Sequence, residues 1–190
     1  MNIIIPKTAL ISLSDKSNLD ELIEFLLDQE VKIISTGGTY KAIKKITDQV
    51  VEVSEFTGFE EMMDGRVKTL HPKIHAGILA RRETDLEVLT DRGYEVIDMV
   101  IVNLYPFQET VASGSSFDEA IEKIDIGGPT MIRSAAKNFN DVAVISDPSD
   151  YAQLMDEWKN QGGISYKFRK ELSQKVFQLM AEYNLACLLY

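Results

Sequence analysis

Short, almost wholly apolar runs punctuate the chain, and between them apolar residues return every three or four positions. Thr8 to Leu13 (TALISL), Val31 to Ser35 (VKIIS), Val50 to Val53, Ile97 to Val102 (IDMVIV) and Val142 to Ile145 (VAVI) read as buried strands. Leu19, Leu22, Ile23, Leu26 and Leu27 form a helical stripe, and Ser17-Asn18-Leu19-Asp20 ahead of it has capping-box spacing. Thr36 to Thr39 reads as a tight loop leading into a short helix from Tyr40 to Ile46. Leu86 to Arg92, Phe117 to Ile124 and Pro129 to Lys137 read as further helices. Asp147-Pro148 supplies a cap and a first helical position for a helix to about Trp158. Ser165 opens a long final helix with Phe168, Leu172, Val176, Leu179 and Tyr183 on one face. Residues 54–82 show few clear periods and read as a long functional loop with short elements.

Strands that alternate with amphipathic helices predict an α/β layered fold with a mostly parallel sheet. In such sheets ligands bind beyond the carboxyl ends of the strands. Ser12, Ser14 and Lys16 follow the first strand, Thr36 to Thr39 the second, and Asn103 to Phe107 the IDMVIV strand. The rule places all three segments along one edge. No internal repeat, low-complexity tract or linker interrupts the pattern.

The 190 residues amount to about one domain. A net charge of −10 argues against a nonspecific nucleic-acid binder. No segment approaches the roughly 20 apolar residues of a bilayer span, and the start lacks a basic leader and is interrupted by Pro6. The expectation is a cytosolic protein with no membrane partner. Cys187, the single cysteine, excludes an intramolecular disulfide and a multi-cysteine metal site. Charge is uneven, however. Arg66 to Arg82 contains Arg66, Lys68, Lys73, Arg81, Arg82, His71 and His75 but no acid; Ile126 to Asn140 is also acid-free and holds Arg133 and Lys137. Such islands in an acidic chain suit a compact anion such as a phosphate ester; the alternative is pairing with the surplus acids.

Ser12-Leu-Ser-Asp-Lys16 offers hydroxyls and an ammonium at a strand-to-helix turn. Thr36-Gly-Gly-Thr39 offers glycine-freed amides and hydroxyls at a helix start, a suitable place for an anion, or simply a turn and N-cap. Neither GxxxxGK[ST] nor GxGxxG is present. His71 and His75 are four apart but separated by Pro72, with no HExxH and no third ligand, so no metal is expected. Asn103-Leu-Tyr-Pro-Phe107 leaves a buried strand with an amide, a phenol and a proline-fixed turn. Asp125 precedes Ile126-Gly127-Gly128 and a helix opened by Pro129, on which Arg133 and Lys137 share a face.

Together, SLSDK, STGGT, GRVKTLHPKIHAGIL, NLYPF and DIGGPTMIRSAAKN, in that order, resemble the inosine monophosphate (IMP) cyclohydrolase domain of the bifunctional purine-biosynthesis proteins across essentially all 190 residues. The resemblance implies a three-layer α/β/α fold like that of methylglyoxal synthase. It implies closure of formylated aminoimidazole carboxamide ribotide (FAICAR) to IMP with loss of water. It also implies a purine ribotide as small-molecule partner and a homodimer. The family's second domain, which takes a formyl group from 10-formyltetrahydrofolate, has no counterpart in these residues. The chain is therefore expected to be a fragment without formyltransferase activity, and no cofactor is expected for the cyclohydrolase step. By resemblance, Ser14, Asp15, Lys16, Thr36, Gly37, Gly38 and Thr39 hold the nucleotide, chiefly its 5′-phosphate, with Ser12 beside them. Arg66, Val67, Lys68 and Thr69 meet the base; Val102 and Asn103 form a further contact, with Tyr105 close by. Asp125, Ile126 and Gly127 lie against the base, and Lys137 matches the position of the proton donor and acceptor. Val102 stands where some relatives have cysteine.

The chemistry asks for oriented reactants, stabilised oxygen charge and proton transfer. Asn103, Asp125 and Arg66 are assigned to orientation, Lys68 and Tyr105 to the developing oxyanion, and Lys137 to the proton shuttle. Two other readings stay open: a methylglyoxal synthase, whose acidic catalytic motif is missing here, and a regulatory nucleotide-binding module.

Overall fold

Ala9, Leu10 and Ile11 are all fully buried although successive side chains of a strand point to opposite faces. Both faces of the sheet they belong to are therefore covered, as a parallel sheet requires. The structure is a computed structural model that describes residues 2–105, 107, 114 and 116–189. Its main sheet contains β2 (Thr8–Leu13), β3 (Lys32–Ser35), β4 (Val50–Glu52), β5 (Met99–Asn103) and β6 (Ala143–Ile145) in the order β4-β3-β2-β5-β6. Every pairing in it is parallel, with Ala9 opposite Ile33 on one side and Met99 on the other. The fold is thus the expected α/β type. A two-stranded antiparallel ribbon, β1 (Ile3–Ile4) with β7 (Ile164–Ser165), adds an element the hydropathy pattern does not reveal.

The helices are α1 (Leu19–Asp28), α2 (Gly37–Ile43), α3 (Val53–Thr57), α4 (Pro72–Leu79), α5 (Leu86–Asp91), α6 (Phe117–Glu122), α7 (Gly127–Lys137), α8 (Tyr151–Gln161) and α9 (Tyr166–Leu189). The expected capping box at Ser17 does not form. Asn18 caps α1 in a left-handed conformation with no side-chain bond, while the Ser17 N–H and hydroxyl are taken by Asp15. Helix α2 begins at Gly37 rather than Tyr40, because Thr36 already supplies the extended N-cap geometry. The short elements expected within 54–82 are α4 and most of α3. Asp147 caps the turn at Pro148–Asp150 through the Ser149 N–H, as expected. The proline of NLYPF lies outside the described residues. Among those residues no helix is long and apolar enough to cross a membrane.

One apolar core runs from Leu10 and Ile34 in the sheet to Phe168, Leu172 and Val176 on α9. Two charged clamps tie its edges. Asp98 accepts the N–H groups of Lys7 and Thr8 and pairs with Arg82 at 3.3 Å. Arg169, fully buried, donates to the carbonyls of Phe139, Asn140 and Ile164 and to the Asn2 side chain, joining α9 to β1 and β7.

Candidate active site

The carboxyl ends of β2, β3 and β5 open into a cleft of about 670 Å³, a volume suited to a nucleotide-sized ligand. Ser12, Ser14 and Lys16, then Thr36 to Thr39, then Val102, Asn103 and Tyr105 all line it, as the strand-end rule requires. Arg66, Lys68 and Thr69 enter from the segment before α4, and Asp125, Ile126 and Gly127 from the start of α7.

Hydroxyls knit the inner wall. Ser12 Oγ and Thr36 Oγ1 are 2.8 Å apart. Thr39 Oγ1 accepts the Leu13 N–H at 2.8 Å and donates to the Leu13 carbonyl at 3.1 Å, so β2 is stapled to the first turn of α2. Asn103 spends its side chain on the neighbouring loop: Oδ1 accepts the N–H groups of Ser14 and Asp15, and Nδ2 donates to the Asp15 carbonyl. It shapes the SLSDK turn across 88 or 89 positions. The Asp15 carboxylate turns to Ser17 and does not line the cleft; the Ser17 hydroxyl and N–H hold its pKa below the ordinary value. Lys16 donates to the Leu13 carbonyl at 2.9 Å.

The opposite wall is a small hairpin. Met62 and Val67 exchange backbone hydrogen bonds, and Arg66 N–H closes on the Met63 carbonyl. Asp64 and Gly65 between them both have positive φ, the signature of a type I′ turn. Val67 sits in this bridge and does not line the cleft. Both cations the hairpin delivers are already engaged: Arg66 bonds Glu122 at 2.9 Å and Lys68 pairs with Glu61. Thr69 lies so close to α7 that a Cβ on Gly127 would stand 2.5 Å from Thr69 Oγ1. His75 holds Thr69 in turn, with Nε2 3.1 Å from the Thr69 carbonyl and Nδ1 3.1 Å from Ser134 Oγ. A carbonyl only accepts, so Nε2 carries the proton; burial pushes the His75 pKa down. His71 accepts the Lys73 N–H.

Asp125 stands at the entry to α7. Its Oδ1 accepts the Gly128 N–H at 2.9 Å, and its own N–H donates to the Tyr183 hydroxyl at 2.8 Å. Burial raises its pKa above the usual carboxylate value, against the lowering effect of the Gly128 and Gly127 amides. That direction makes the carboxylate a better proton acceptor than an exposed aspartate.

Lys137 is not at this cleft. It is the exposed last residue of the helix whose first residue, Gly127, forms the rim. Ten residues at about 1.5 Å each carry it about 15 Å down the side of the sheet. The expected gathering thus holds for Lys16, Thr39, Lys68 and Asp125 and fails for Lys137 within one chain. Arg133 is exposed on the same helix and also stands outside the lining. The basic run divides likewise, since Arg81 pairs with Asp85, Arg82 with Asp98, and Lys73 lies over the Phe56 ring. Residues missed in the sequence include Met63, Asp64, Glu122 and Lys123, which line the cleft, and Tyr183 behind it. The Asp64-Gly65 dipeptide is a hairpin signal that would have found the first two.

A parallel sheet whose strand ends present a hydroxyl-rich cradle to a loop carrying Arg66 and Lys68 defines an α/β domain with its candidate site at that edge. The chain belongs to the MGS-like domain family, whose model matches residues 18–130. Residues 135–190 match the model of the AICARFT/IMPCHase bienzyme. The chain is 54% identical over 182 residues to the bifunctional purine biosynthesis protein PurH of Clostridium perfringens, covering 95% of this chain and 36% of that protein. It is 53% identical to PurH of Fusobacterium nucleatum subsp. nucleatum with the same coverage. The chain thus spans about a third of the length of these curated relatives. The solved structure titled "Crystal structure of ForH" superposes with a TM-score of 0.81 at 32% identity, covering 96% of this chain and 97% of that one.

Proposed function

We propose that this chain is an IMP cyclohydrolase domain, closing FAICAR to IMP. The observation that carries the reading is the convergence on one cleft of Lys16, Thr36 to Thr39, Lys68 and Asp125, which come from four separated segments. In this reading the 5′-phosphate lies against the Ser12, Ser14, Lys16 and Thr36–Thr39 cradle, and the imidazole lies between Arg66, Val102 and Asp125–Gly127.

The carboxamide nitrogen bonds to the formyl carbon. One N–H proton leaves, the formyl oxygen takes up protons and departs as water, and the former formamide nitrogen loses its proton as the C=N bond forms. No oxidation state changes, so the balance calls for no redox cofactor. Asp125 takes the carboxamide proton, as its raised pKa favours. Lys68 exchanges Glu61 for the developing oxyanion. Tyr105, at the exposed rim, is placed to hydrogen-bond the departing oxygen. A proton role for Lys137 requires an ammonium delivered from outside this chain's own cleft. A homodimer and a cytosolic setting belong to the same proposal.

Incubating the chain with FAICAR and following IMP by ultraviolet absorbance tests it. IMP formation at a rate proportional to enzyme supports the proposal. Tight ribotide binding without turnover, or phosphate release from dihydroxyacetone phosphate instead, overturns it in favour of a sensor or a synthase.

A further inference from the structure

Helix α9 is pinned along α7 at both ends. Ser173 Oγ donates to the Ala136 carbonyl at 2.8 Å, beside the last turn of α7. The Tyr183 hydroxyl accepts the Asp125 N–H at 2.8 Å, just ahead of the first. The two contacts lie ten residues apart on α9, about 15 Å, and on the other side run from Asp125, two residues ahead of α7, to Ala136 in its last turn, in the opposite chain direction. The helices therefore run antiparallel in a fixed register, and Tyr183 falls opposite Asp125 because of it. The Tyr183 ring packs on Phe107 with centroids 6.1 Å apart, which fixes the direction of the phenol.

We infer that Tyr183 is a positioning residue for Asp125. The inference rests on the cyclohydrolase reading for its consequence in turnover, though the contact itself is separately measurable. The Asp125 carboxylate is anchored forward, by Gly128, and its peptide is anchored backward, by Tyr183. Each anchor removes a different freedom: the Gly128 bond limits side-chain rotation, and the Tyr183 bond limits rotation of the peptide that carries the side chain. Without the second, a part-buried N–H loses its partner and the carboxylate can drift with the loop. A displacement near 1 Å at a reacting group costs up to about 100-fold in rate. The residue responsible lies 58 positions from Asp125 and beyond the 18–130 match to the MGS-like family. The final helix therefore serves the site directly as well as the core.

Tyr183→Phe tests this, since it removes one oxygen and keeps the ring that packs on Phe107. The expected result is a kcat lower by about 10- to 100-fold with KM within about twofold, together with faster backbone hydrogen exchange at Asp125. Tyr166→Phe, at the exposed start of the same helix, is the control and changes neither. In an Asp125→Asn background Tyr183→Phe adds nothing further, because the group it positions is gone. A fully active Tyr183→Phe chain overturns the inference. So does a loss that persists undiminished in the Asp125→Asn background, or a rise in KM alone. If the unmodified chain forms no IMP, the proposed function fails by itself; exchange at Asp125 then still decides whether Tyr183 holds that peptide.

Discussion

Replacing Asp125 by Asn separates the chemistry of the carboxylate from its structural duties. Asn keeps the size and one acceptor oxygen, so the bond from the Gly128 N–H survives. It cannot take a proton at any working pH. Loss of a general base costs ~10²–10⁴ in rate, or about 3–6 kcal/mol at about 1.4 kcal/mol per decade. Stability moves the other way. Burial raises the Asp125 pKa above its ordinary 3.8, so the folded chain binds this proton more tightly than the unfolded chain does. Ionisation therefore costs the folded state nothing below the unfolded pKa, and the full cost applies above the folded pKa. At pH 7 the aspartate variant carries that cost and the asparagine variant does not. Asp125→Asn should melt at or above the unmodified chain at pH 7, and the difference should close as pH falls through the folded pKa. The acid limb of kcat/KM, set above 3.8, should disappear with the carboxylate. Initial rates of IMP formation and calorimetric melting, both followed from about pH 4 to 8, measure these effects. A rate within tenfold of the unmodified chain would remove Asp125 from proton transfer. A variant that melts well below it at pH 7 would make the carboxylate a helix cap whose value is structural.

Gly127→Ala places a methyl 2.5 Å from Thr69 Oγ1, so the Thr69 side chain must turn away or its segment yield; IMP affinity by titration calorimetry should fall by about 10-fold. Lys137→Ala should leave the Kd for IMP within about twofold, since the side chain leaves the surface a helix length from the cleft; a weaker Kd would contradict that placement. Arg169→Met strands three carbonyls and the Asn2 side chain around a buried site. The loss should be on the order of 3 kcal/mol, or roughly 6–12 °C in Tm for a chain of this length, read by thermal melting.

The parts of the fold visible in the sequence are those where one local signal suffices. VAVI and TALISL sit in strands buried on both faces, and nothing but burial is needed to make a continuous apolar run sensible. The β1–β7 ribbon is two residues per strand, its strands come from opposite ends of the chain, and Arg169 on the helix after β7 ties Asn2 to them; no window of sequence contains that arrangement. Helix α2 starts earlier than its composition suggests because Gly37 and Gly38, poor helix formers, occupy its first turn behind the Thr36 cap. The rim of the site was legible because parallel topology alone sends every strand end to one edge. Its charge pairing was not. The acid-free run from Arg66 is genuine, yet Glu61 lies just before it and Glu122 beyond the next strand, and these two meet its cleft-facing cations. Lys137 shows the opposite limit: a role taken from resemblance, placed on a helix whose length alone carries it away from the rim.

That pairing bears on how a chain of net charge −10 would present a site for the anionic ribotide proposed above. The inner cradle depends little on net charge, being made of hydroxyls and amides whose directions are set by the strand ends and by each other. Arg66 and Lys68 supply formal charge on the outer wall, where Glu122 and Glu61 already hold them. Both glutamates are at least half exposed, so releasing them returns carboxylates to water with little desolvation to reverse. In the proposed reading the base at Arg66 and the developing oxyanion at Lys68, rather than the phosphate, then replace a carboxylate on a cation that is already near the cleft, and the side-chain entropy of ordering that cation has already been met. Surplus acid at the rim is in this way compatible with anion binding, because it preorganises the two cations without sealing the cradle behind them.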